Sequence, residues 1–166
     1  MHMPALVILG DAEYDTSPPD IVSGVADALE PTGDSLEWDW YQIGGRWTGL
    51  FDGYTPEDDP DLMETCRLCD GAGTRGDAQC NGCDGTGTRT AWPTSWPLRV
   101  ADSIPCAKLT QDHLDACCAV VVNRRWYASE RYEPWQDVEV FQPQEMPPVD
   151  WLQTAGLVAV IVDCHN

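Results

Sequence analysis

Apolar residues gather in two unbroken runs near the ends of the chain. Residues 4–11 (PALVILGD) stop at a Gly-Asp pair, and residues 157–166 (LVAVIVDCHN) close the sequence. Runs of this length bounded by polar residues suit buried strands. After the first, DTSPP (15–19) predicts a turn. Asp20 is the expected N-cap of a helix through IVSGVADALE, with Ile21, Val25 and Leu29 on one face and Pro31 ending it. SLEWDWYQIGG then sets Leu36, Trp38 and Trp40 against Glu37, Asp39 and Tyr41, the alternation of a strand that ends in a double glycine. GRWTGLFDGY predicts the returning arm of a hairpin or an irregular edge. Further along, LTQDHLDACCAV predicts a helix capped by Thr110, VVVNRRWYA a strand, and Val138–Phe141 another strand in an irregular stretch. VDWLQT adds a helical turn before the last strand. The predicted fold class is α+β, a small, mainly antiparallel sheet with helices packed on it. Its two parts, 1–61 and 91–166, flank an inserted four-cysteine module at 62–90. The acidic, proline-bearing TPEDDPD (55–61) leads into that insertion as a linker, and TAWPTSWPLRV leads out with extended backbone.

The insertion carries the clearest chemistry. CRLCDGAGTR and CNGCDGTGTR lie fourteen residues apart and agree at seven of ten positions: both cysteines, the Asp, both glycines, the Thr and the Arg. Such a repeat predicts two similar turns related by a pseudo-twofold, with one ion between them. Each CxxC turn brings two sulfurs to one ion, so Cys66, Cys69, Cys80 and Cys83 form a four-thiolate set, with zinc as the expected cofactor and rubredoxin-like iron as the other candidate. Four thiolates leave no open position for water, which argues for a structural metal over a catalytic one. A thioredoxin-like role would need one CxxC at a helix start rather than a glycine-rich repeat. The metal acts either as a staple alone or as a staple that also presents an interaction surface.

The doubled CxxCxGxG pattern resembles the cysteine-rich region of DnaJ-type co-chaperones, over residues 66–89 only. That family carries four such repeats and two zinc sites, whereas here there are two repeats and one site. The His-Pro-Asp tripeptide of a J domain is missing from the chain. The resemblance therefore implies substrate holding or partner docking, and does not extend to stimulation of a partner's ATPase.

Charge narrows the partners. With 28 acidic against 9 basic residues the formal charge is −19, a field that repels phosphates and anionic membranes. No direct nucleic-acid or membrane contact is expected. A protein partner is, either a basic protein or a DNA-binding one for which the carboxylates imitate DNA. A general adaptation for solubility explains the same acidity. No secretory leader or membrane-length apolar run is visible, so a cytoplasmic setting is expected, and the remaining cysteines (Cys106, Cys117, Cys118, Cys164) read as reduced, packed thiols. Met1-His2 reads as a cloning remnant, which leaves His2 without functional weight.

Two further places could carry function. WDWYQIGGRWTGLF offers Trp40, Tyr41, Arg46 and Trp47 as a partner or ligand surface, or as ordinary core aromatics beside a glycine bulge. Eight tryptophans in so short a chain favour protein binding. The same WxWYxIGGRW stretch with the terminal VDCHN resembles small uncharacterised bacteriophage proteins, which implies an accessory role in a host cytoplasm. The competing reading is an enzyme with a site at the sheet end near Asp11, Asp163 and His165. Cys164 lies on the opposite strand face from that pair, and His113 is expected to cap or pack within its helix.

Overall fold

The computed structural model describes residues 2–10, 17–30, 40–55, 58–90, 102–130 and 144–165. Two compact units emerge, Met1–Tyr54 with Trp96–Asn166, and Thr55–Ser95. The second takes in the acidic stretch read from sequence as a linker.

In the first unit the terminal apolar runs become the two longest strands, β1 (His2–Leu9) and β11 (Val158–His165). They pair antiparallel along their whole length, from His2 opposite His165 to Leu9 opposite Val158. The intervening elements are α1 (Pro18–Ala28), β2 (Trp40–Ile43), β7 (Ser103–Pro105), α2 (Gln111–Ala116), β8 (Ala119–Val122), β9 (Arg125–Ala128), β10 (Gln144–Glu145) and α3 (Val149–Ala155). Among the described residues the sheet has seven strands, ordered β10-β9-β8-β1-β11-β2, with β7 on β11. It is mixed and mainly antiparallel, β1 with β8 and β9 with β10 being the parallel pairs. The α+β class is as expected, with helices on both faces of the sheet. Met3, Ala5, Val7 and Leu9 pack with Ile21 and Val25 of α1 and with its C-cap residue Leu29. Leu6, Ile8 and Ile161 pack on the other face with Leu109, Leu114 and Leu152 from the α2 and α3 side. Strands without polar alternation have two apolar faces, and both need cover.

Three local expectations change. Helix α1 starts at Pro18 after an N-cap at Ser17, so Asp20 is a first-turn residue. Proline suits that first position because its fixed φ is already helical and its missing N–H has no helical partner to lose. VVVNRRWYA is a hairpin, not one strand: β8 turns into β9 through Asn123 and Arg124, at φ 50° and 64°. Positive φ at both central residues defines the type I′ turn that matches strand twist. The stretch after β2 is a 3₁₀ turn, Gly45–Trp47, and β2 pairs with β11, so the returning hairpin arm gives way to the irregular alternative. The strand expected at Val138–Phe141 lies outside the described residues.

Helix α2 begins as expected at Thr110. The Thr110 hydroxyl accepts the His113 N–H at 3.4 Å, and His113 Nδ1 accepts the Thr110 N–H at 3.2 Å. Thr110→Ala is expected to cost about 1 kcal/mol in urea unfolding, the usual value of an N-cap. Among the described residues, no helix is long and apolar enough to cross a membrane.

Candidate metal centre

In the second unit β3 (Met63–Thr65) pairs antiparallel with β6 (Thr88–Thr90), and β4 (Thr74–Arg75) with β5 (Ala78–Gln79). The Glu64 carboxylate accepts from Arg89 Nε at 2.8 Å across the first ribbon. The sequence repeat is repeated in space. Cys66 N–H donates to the Gly87 carbonyl at 2.9 Å, and Cys80 N–H to that of Gly73 at 2.9 Å. Ala72 donates to Cys69 and Thr86 to Cys83, again at 2.9 Å each. Asp70 and Asp84 sit at φ 49° and 46°, the left-handed step that folds each turn back on its CxxC. Two glycines are fixed by close approach. A Cβ on Gly73 would lie 2.4 Å from the Gly85 oxygen, and one on Gly87 would lie 2.3 Å from the Gly71 oxygen. The twofold is broken where Leu68 faces Gly82, whose Cβ would fall 2.5 Å from the leucine side chain.

This geometry gathers Cys66, Cys69, Cys80 and Cys83, all buried, with their sulfurs within 4.8 Å of one another. Cys66 and Cys80 sulfurs are 3.9 Å apart, and Cys69 and Cys83 sulfurs 3.7 Å. A tetrahedron with metal–sulfur bonds of about 2.3 Å has edges of about 3.8 Å, so these two pairs already have the spacing that a four-coordinate ion requires. The Gly82 amide pulls Cys80 down, but burial and the neighbouring thiols leave it raised. Burial opposes ionisation of Cys83, but the Gly87 N–H reaching its sulfur at 3.3 Å and the same thiols leave it lowered. These four cysteines alone form the unit's buried cluster among the described residues, so a set of thiols that could hold an ion stands where a domain of ordinary composition has an apolar core.

The sheet end holds a second set of polar residues. Asp163, only 2% exposed, accepts from His2 Nδ1 at 2.9 Å and from the Arg46 backbone N–H at 3.2 Å. His165 shares this face, and Trp40 stacks on its ring at 5.0 Å with planes 8° apart. Cys164 points to the opposite face, where burial and then Asp163 raise its thiol pKa far above the usual range. Asp11 lies outside the described residues. Sequence reading set His2 aside for its place at the chain start, and only the strand register reveals its position opposite His165.

The aromatic residues proposed for binding are divided between faces. Tyr41 packs against the α1 cluster, where burial raises its hydroxyl pKa, helped by Cys164 and Asp27. Trp47 packs into the opposite cluster, and Trp40 and Arg46 are exposed. Cys117 and Cys118 likewise separate to opposite faces, and burial pushes the Cys106 thiol up to about 11.

No protein family, curated protein or solved structure matches the chain. The likeness to the co-chaperone module rests on the repeated motif alone.

Proposed function

We propose that this is a non-enzymatic, zinc-stapled protein that docks on another protein through its cysteine-bearing unit. The observation that carries this reading is the closed four-thiolate set standing in for an apolar core. Four thiolate donors gathered at one point favour zinc. With every ligand position filled by protein, the ion supplies structure, and function falls to the surface it holds. That surface exposes Leu68 at 51%, at a groove of about 800 Å³ that Arg75, Gln79 and Asn81 also line, and it exposes Met63 at 38% elsewhere. A charge of −19 favours a basic partner, including a DNA-binding protein whose nucleic-acid site accepts carboxylates. The phage-like stretches support a host protein as that partner and the host cytoplasm as the setting.

The test is affinity capture from nuclease-treated host lysate with wild type and Leu68→Glu, each checked for one zinc per chain. Stoichiometric capture by wild type, reduced at least tenfold in the variant, is the expected result. Equal capture by both would remove the groove from the reading, and loss of capture in high salt would favour acidic mimicry.

A second reading, an enzyme at the sheet end, is favoured by one observation, the buried Asp163 holding an imidazole nitrogen of His2. An aspartate that fixes one ring nitrogen prepares the other to accept a proton.

A further inference from the structure

We propose that His2 and His165 form a second metal site, for one borderline divalent cation such as zinc, with Asp163 orienting His2. The two histidines stand directly opposite each other on neighbouring antiparallel strands, so both side chains leave the same face of the sheet. Their ring centroids are 5.0 Å apart with planes at 76°. Two imidazoles bound to one ion through nitrogens at about 2.0–2.1 Å place their ring centres roughly 5 Å apart. The strands therefore already supply the spacing of the ring centres.

Asp163 supplies the outer support. Both its oxygens lie within reach of His2 Nδ1, at 2.9 and 3.1 Å, and the Arg46 N–H at 3.2 Å holds the carboxylate in place. A carboxylate on Nδ1 fixes the tautomer and presents the Nε2 lone pair, the arrangement that supports metal-binding histidines generally. Trp40, stacked on His165 and 5.4 Å from His2, limits how both rings turn and is 43% exposed, so the cluster opens to solvent. The strongly negative chain concentrates cations, opposed locally by the exposed Arg46. Among the described residues the four cysteines are the one set of three or more metal-binding groups, so this site offers two protein ligands and water completes it. It is weaker than the thiolate site and independent of it.

The experiment is calorimetric titration of zinc into untagged full-length protein already carrying one zinc per chain. Wild type is expected to take up one further equivalent. His2→Ala and His165→Ala should each weaken that uptake at least tenfold, and His113→Ala should leave it unchanged. Asp163→Asn should weaken it 10- to 100-fold, as loss of an orienting carboxylate does elsewhere. Should that variant misfold, imidazole ¹H–¹⁵N spectra of wild type serve instead, with nitrogens of both His2 and His165 shifting on zinc addition. A single equivalent at saturation in wild type would overturn the proposal. So would undiminished uptake in both alanine variants, or shifts confined to one ring.

Discussion

Replacing Cys66 and Cys80 together by serine is expected to abolish tight zinc binding and unfold residues 58–90. These two cysteines occupy equivalent places in the repeat, with their sulfurs 3.9 Å apart. The described part of the unit has no buried cluster beyond its four thiols, and its ribbons pair only two or three residues each. Two-stranded ribbons so short are not stable by themselves. Metal binding at structural zinc sites contributes an apparent ~10–16 kcal/mol, which is the scale of stabilisation the double variant forfeits. Amide signals of 58–90 should collapse to random-coil positions, while those of β1 and β11 persist, since neither core cluster of the sheet contains a ligand cysteine. A chelator should give the same spectrum in wild type, and acid should release the ion because ligation needs thiolates. Dispersed signals for 58–90 in metal-free protein would show that its hydrogen bonds suffice.

How much of this was readable beforehand varies with the signal. The gathering of the four cysteines was legible because a fourteen-residue repeat of CxxC states both the thiols and their symmetry. β1, β11 and the Thr110 cap were legible because each rests on local pattern. The same apolar runs also carried an unused clue, since strands without polar alternation are covered on both faces, as α1 on one side and α2 with α3 on the other show. The β8–β9 turn was missed because Arg124 occupies a left-handed position where glycine is the usual marker. Tyr41 was grouped with Trp40 although neighbouring strand residues face opposite ways. His2 could not be read at all from local pattern. Its meaning comes from register with a strand more than 150 positions away, and only pairing in space supplies that.

Gly45→Ala is the other substitution expected to have a large effect, and it tests how the sheet end is built. Gly45 is buried at φ 56°, and a Cβ there would lie 2.4 Å from Asp163 Cβ and 2.7 Å from its Oδ2. Two costs follow. A non-glycine residue in the left-handed region costs about 1–2 kcal/mol, and forcing a methyl into packed surroundings costs about 1–3 kcal/mol more. The expected loss is therefore about 3 kcal/mol in urea unfolding of the sheet unit. Gly53→Ala provides the comparison, because Gly53 is also left-handed, at φ 75°, but a Cβ there meets nothing within 4 Å. It should show the conformational cost alone, so the difference between the two variants isolates the contact with Asp163. Because the added methyl pushes on the carboxylate that holds His2, Gly45→Ala should also shift the His2 imidazole resonances, which Gly53→Ala should not. Equal destabilisation by both variants, with His2 undisturbed, would mean that Gly45 is glycine for its backbone alone and that Asp163 is not wedged against it.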